Sequence, residues 1–374
     1  MFHLILKNPS QNFHLLYASG DQLDANLLAD PFDINYFKSE GNLVIAQIVG
    51  VFSFFSFGSY IVMNLFFSMI AFSGLWKLFM LFYEQYPHLH KQLAIATLFL
   101  PSMVFWSSGI LKDSICIGMI GWLAYSIYHL LYKIKQPVKN IFIVLFSSFT
   151  LLMIKPYILY SLTPFLILSI LLLYIRNIKS IFLKIIIGIF ILFGFTAAVY
   201  VLSDKLKVQM GEFALESLTE RVQSQQQTFI NISDQAESSF SLGVDYDGSL
   251  SGMVKMAPAA IVATLFRPFI WESRKISTLL SSLEGLGILI LTIYVFFKVG
   301  PFKFISSTIR DPMIVFCFFF SLVFAVFVGA TTLNFGTLVR YKIPCLPFYV
   351  IALFLILDRH LQQVAAKKAS HYEI

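Results

Sequence analysis

The sequence predicts an all-α, polytopic transmembrane helix bundle of about nine to ten spans with one large outer loop. Three observations predict it. Of 374 residues, 58% are hydrophobic and 13% charged, against about 45–50% and about 25% in an ordinary soluble domain. Residues 114–132, 157–175, 185–202 and 312–339 carry no Asp, Glu, Lys or Arg, and roughly 20 apolar residues suffice to cross about 30 Å of hydrocarbon. These runs are continuously apolar rather than alternating, which selects helices over a barrel.

Spans are placed at 60–82, 93–111, 114–132, 141–154, 157–175, 185–202, 278–297, 312–330 and 343–357. Residues 43–57 are ambiguous. Ile45, Ile48, Val49, Phe52 and Phe55 recur at helical spacing, but about 15 residues are short for a crossing. The preferred reading is an amphipathic helix lying in the outer interface; a tenth span is the alternative. The resulting organisation is an outer polar segment 1–41, a bundle 42–202, an outer loop 203–277, and a second bundle 278–374 with its tail. The first 41 residues lack a basic stretch followed by an apolar core, so no cleaved leader is expected.

Charge sets the orientation. The formal charge is +7. Lys133, Lys135 and Lys139, then Arg176, Lys179 and Lys184, then Lys298, Lys303 and Arg310, and finally Arg359, Lys367 and Lys368 fall on alternate connectors, so all can lie inside. The basic excess therefore reads as cytoplasmic anchoring rather than nucleic-acid binding, and no RNA or zinc-finger motif accompanies it. A multi-pass bacterial inner-membrane protein with a cytoplasmic C-terminus is expected. The same parity puts 203–277 outside, and part 203–255 of it holds eight acidic residues against four basic. Cys116, Cys317 and Cys345 read as small buried hydrophobes, without disulfide or metal-ligand spacing. No cofactor is indicated.

Ionisable groups close to spans are costly, on the order of 2.5–3.5 kcal/mol on insertion scales, and so are the functional candidates. Lys112 and Asp113 follow Phe105-Trp106-Ser107-Ser108-Gly109 at an outer end; Asp113 can cap the next helix. Lys155-Pro156-Tyr157 splits two apolar segments, leaving Lys155 to snorkel or to face an anionic headgroup. Arg267-Pro268-Phe269-Ile270-Trp271-Glu272 follows an apolar stretch too short to span. This geometry delivers Arg267 and Trp271 at headgroup depth, where arginine suits bidentate phosphate contact and an Arg267–Glu272 pair is the plainer use. Glu284 lies inside the span 278–297 and needs a partner, with Arg267 or Lys275 in reach. Asn334 to Lys342 adds Arg340 and Lys342 to the same side. Asp21 and Asp24, in the polar N-terminal region, suit a general base or a solvated turn.

A polar N-proximal segment with an aspartate, an interface helix, many spans and a late outer loop resemble the GT-C class of polyprenyl-phosphate-sugar-dependent glycosyltransferases. Phe105–Asp113, Arg267–Glu272 and Asn334–Tyr341 also look like stretches of bacterial membrane proteins grouped with cell-surface polysaccharide synthesis. The resemblance implies that Asp21 or Asp24 is the catalytic acid of the first outer loop. Arg267, Arg340, Lys112 and Lys155 would then bind the substrate phosphate, supported by Asp113, Trp271, Glu272, Glu284 and Lys342. The implied partners are a lipid-linked sugar, a glycan or lipid acceptor and membrane lipids, and no nucleic acid. One departure is that this class begins with a membrane helix before that loop, and here none precedes Asp21. A repeat-unit polymerase using outer-face arginines is the nearest rival; a flippase or exporter component, and a non-catalytic membrane assembly protein, are others.

Overall fold

A computed structural model describes residues 2–19, 39–176, 178, 240–244, 250–273 and 276–372. The fold is all-α, and no strand occurs among the described residues. Seven helices are long and apolar enough to cross a membrane: Tyr60–Tyr83, Lys112–Lys133, Pro137–Ile154, Pro156–Arg176, Thr278–Val299, Pro312–Thr331 and Leu346–Ser370. The span expected at 185–202 lies outside the described residues. The one expected at 93–111 is two short helices, His90–Leu98 and Pro101–Ser107. Pro101 has no N–H to donate into the preceding turn and starts a new helix instead.

The chain forms two compact units, one of Met1–Phe99 and Met103–Tyr160, the other of Leu100–Ser102 and Ser161–Ile374. The first unit is built on α1 (Glu40–Ser56), α2 (Tyr60–Tyr83), α3 (Lys112–Tyr128, continued by a π-turn to Lys133) and α4 (Pro137–Ile154). Glycines let α2 and α3 touch backbone to backbone. A Cβ on Gly74 would come within 2.0 Å of the Gly118 carbonyl oxygen, and one on Gly121 within 1.8 Å of that of Gly74. Trp122 then donates to the Ser73 hydroxyl (3.0 Å), and Glu84 meets His129 (3.1 Å). Contacts advance together along both chains, so α2 and α3 run parallel. In lipid this close approach, rather than hydrophobic expulsion, drives helix association.

Helix α1 starts and finishes at one end of this unit. At its start, Gly41 lies beside the Ile154 carbonyl and the Lys112 amine. At its finish, Phe57 and Gly58 both take positive φ and turn the chain into α2, whose first residues lie at the same end as Asp113. Gln47 ties the N-terminal segment down by donating to the Ala18 carbonyl (2.9 Å).

The second unit contains α5 (Leu250–Phe266), α6 (Ile276–Val299), α7 (Pro301–Arg310), α8 (Pro312–Thr331), α9 (Phe335–Tyr341) and α10 (Leu346–Tyr372). Helix α5 runs antiparallel to the second half of α8. Gly329 admits the Ala260 carbonyl, where a Cβ would sit 2.3 Å away, and Thr264 donates to the Ala325 carbonyl (2.7 Å). Arg267 therefore leaves α5 beside the middle of α8. Helix α9 also turns inward. The Ser321 hydroxyl, halfway along α8, reaches the Cys345 carbonyl at 3.1 Å, and Thr292 of α6 meets the Tyr349 hydroxyl at 3.1 Å. The last helix thus begins at mid-depth, not at the end of the bundle. Irregular backbone at such depth is tolerated where protein encloses it, and Ile343, Cys345 and Leu346 are fully buried.

Candidate functional site

In the second unit, both mid-depth chain breaks carry a cation. Arg267 sits where α5 ends because Pro268 cannot continue the helix. Glu272, in a 3₁₀ turn (Ile270–Glu272), folds back and accepts the Phe269 N–H (2.8 Å). That places its carboxylate along one edge of the guanidinium. Arg267 Nε donates to its two oxygens at 3.0 and 3.1 Å, and Nη2 also donates to Oε1. Nη1 donates to the Ser241 carbonyl at 3.2 Å. The guanidinium carbon lies 4.4 Å from the Phe240 ring centre and 5.2 Å from that of Phe335, and the two rings stack at 4.5 Å. A planar cation on aromatic faces gains from the ring quadrupoles and is fixed in orientation. Three of its five N–H groups are used, so two keep no partner among the described residues.

Lys342 lies behind this arginine. Its side chain is fully buried, and its ammonium donates to the Arg267 carbonyl at 3.0 Å. Burial pushes its pKa down to about 8, against the pull of Glu284 and Cys345. Glu284, buried on α6, receives two hydrogen bonds from Ser102, from the backbone N–H (3.1 Å) and from the hydroxyl (2.9 Å). Arg340 is half-buried on the same short helix as Phe335, whose start is capped by Asn334 accepting from the Gly336 N–H (2.9 Å). Trp271 stacks on Phe269 at 4.9 Å and is 81% exposed.

The first unit holds a second cluster. The Lys155 ammonium meets the Asp113 carboxylate at 2.5 Å, both side chains being buried. Burial opposes the charge on Lys155, but attraction from Tyr157 and Asp113 outweighs it and holds the pKa above its ordinary value. Pro156 ends α4 and leaves Lys155 at the turn, while Asp113 occupies the first turn of α3, where the helix dipole favours a carboxylate. The helix cap expected of Asp113 is not what forms: Leu111 is the N-cap residue, without a side-chain cap. Asp113 pairs with Lys155, and Lys112 lies beside Gly41.

The structure thus brings together Arg267, Glu272 and Lys342, with Glu284 acting on Lys342, and separately Asp113 with Lys155. Asp21, Asp24 and Lys275 lie outside the described residues. Sequence reasoning missed Ser102, Phe240 and Phe335. The one usable signal was Pro101-Ser102, a break inside an apolar stretch. Among the described residues, no group of three or more His, Cys, Asp or Glu side chains is placed to hold a metal ion.

Fold and site define a polytopic helical membrane protein with cations fixed on irregular backbone inside its bundle. Comparison with protein-family models, curated proteins and solved structures finds no match for this chain.

Proposed function

We propose that this protein is a membrane glycosyltransferase that moves a sugar from a polyprenyl-phosphate donor to a cell-surface glycan or lipid acceptor. In this reading it acts at the outer face of a bacterial inner membrane, with its C-terminus in the cytoplasm. The observation that carries the reading is Arg267: held by Glu272 and two phenylalanine rings, it has two N–H groups that meet no partner among the described residues and can take an incoming oxyanion. Such a donor is fixed before the substrate arrives, which is what stabilises charge developing on a leaving phosphate.

In the proposed reaction, Arg267 and Arg340 hold the donor phosphate. Asp21 or Asp24 takes the proton of the acceptor hydroxyl. The acceptor oxygen forms a bond to the anomeric carbon as the bond from that carbon to the phosphate oxygen breaks, and the lipid phosphate leaves with the electron pair. Arg267→Ala and Arg340→Ala variants that still insert into membranes should lose about 10²–10³-fold in transfer of a radiolabelled polyprenyl-phosphate sugar. Full transfer by both would end this proposal.

A repeat-unit polymerase is the second reading. It is favoured by the commitment of the two carboxylates in this cluster, Glu272 to Arg267 and Glu284 to Ser102, neither left as a base. Asp21→Asn and Asp24→Asn separate the two. Loss of activity in either supports the transferase; unchanged activity in both, with Arg267 essential, supports the polymerase.

A further inference from the structure

A different corner of the second unit carries a second set of observations. Helix α7 (Pro301–Arg310) is amphipathic but turned inside out. Its polar Ser307 and Thr308 are buried, whereas Phe302, Ile305 and Ile309 are 88%, 58% and 62% exposed. Ten residues joining two membrane-spanning helices cannot cross the bilayer themselves, so the apolar edge faces the acyl region at the bilayer surface.

The polar side of this corner is cationic. His360 of α10 is 8% exposed, and its Nδ1 has no hydrogen-bond partner among the described residues. Helices α6 and α7 both pack against α10, which brings Lys298 at the end of α6 and Lys303 on α7 close enough for their charges to act on His360. The nearby acid is already engaged: Asp311 caps α8, accepting from the Met313 N–H at 3.0 Å, and pairs with Arg359 at 3.6 Å. Asp358, on the same helix as His360, accepts from Gln362 at 2.9 Å, so among the described residues no carboxylate pairs with the two lysines or the imidazole, and together they form a site for an anion.

We propose that Lys298, Lys303 and His360 bind the phosphate of an anionic phospholipid whose acyl chains lie along Phe302, Ile305 and Ile309. A lipid is chosen over free phosphate because the apolar edge and the cations share one helix. Basic side chains at a membrane surface favour anionic lipid by about five-fold each.

The test uses the full chain in nanodiscs. Phe302→Trp fluorescence is read with brominated phosphatidylglycerol or brominated phosphatidylcholine as quencher, in the parent and with Lys298→Gln plus Lys303→Gln. The expected result is stronger quenching by brominated phosphatidylglycerol, a preference that falls at least ten-fold in the double variant and survives Lys367→Gln plus Lys368→Gln. Equal quenching by both lipids, or a preference unchanged in the double variant, overturns the proposal. So does complete loss of the preference in millimolar inorganic phosphate at constant ionic strength, which would assign the cations to the free ion. Because the readout is lipid contact, its failure leaves the transferase reading standing, and the reverse holds.

Discussion

The ammonium of Lys342 donates to the backbone carbonyl of Arg267 at 3.0 Å, 75 residues earlier in the chain, and does so while fully buried. This one bond couples the two mid-depth breaks of the second unit, the one after Phe266 and the one before Leu346. Removing the amine should leave the Arg267 carbonyl unsatisfied and take from Glu284 the positive charge of Lys342 that acts on it. Lys342→Met is expected to destabilise the protein by about 1–3 kcal/mol, the cost of leaving a buried acceptor without its donor. Adding Glu284→Gln should return part of that loss. A thermal-melt double-mutant cycle in detergent measures it, and strictly additive losses would count against the coupling.

The lowered pKa of Lys342 gives a signed pH dependence. Its value is about 8 in the folded protein against an ordinary 10.5. Between those values the unfolded chain binds the proton and the folded one does not, so stability contributed by this group rises as pH climbs from about 8 to about 10.5. Below pH 8 both states are protonated and the slope vanishes. The measurement is melting temperature against pH, with Lys342→Met expected to flatten that window.

Asp113 and Lys155 should behave as a pair inside the first unit. Asp113→Asn and Lys155→Met each strand a buried charge or polar partner and are expected to cost about 3–5 kcal/mol. The double change should cost clearly less than the sum. Protease resistance of the membrane-inserted protein reads this without requiring activity.

Arg267→Lys tests whether shape or charge matters at the aromatic clamp. Lysine keeps the charge but loses the planar fork that Glu272 and the two rings hold. Transfer activity is expected to fall nearly as far as in Arg267→Ala. Near-normal activity in the lysine variant would reduce this residue to a point charge.

Two glycines should differ in their tolerance of a methyl group. Gly74→Ala drives a Cβ into the Gly118 backbone, whereas a Cβ on Gly287 meets nothing within 4 Å. The first is expected to abolish stable folding of the α2–α3 pair, and Gly287→Ala to leave the melting temperature within a few degrees. Size-exclusion profiles of both proteins check this.

The membrane class was legible because charge is absent over whole spans, as in 114–132 and 157–175, and no tertiary detail is needed to see that. The breaks were less legible. Residues 312–339 carry no charge, yet the span placed at 312–330 ends where the helix does, at Thr331; what hydropathy did not record is the inward turn that follows. Asn334 and Pro344 carried the signal, as a helix-starting cap and a residue without an N–H. The candidate cations themselves were readable, since ionisable residues stand out against apolar neighbours. Their partners were not. Glu284 was expected to meet Arg267 or Lys275, and it is bonded by Ser102 from 182 residues away, a proximity that only packing creates.

The mid-depth start of the last helix bears on how the chain is made. Residues 332–345 enter the bundle and do not cross it, so an insertion machine cannot thread them as an independent crossing. Their partners Arg267, Glu284 and Ser321 all lie earlier in the chain and so are synthesised first. A chain truncated before residue 332 would lack both this inward turn and the last helix, and Arg267 would lose the Lys342 amine from its carbonyl.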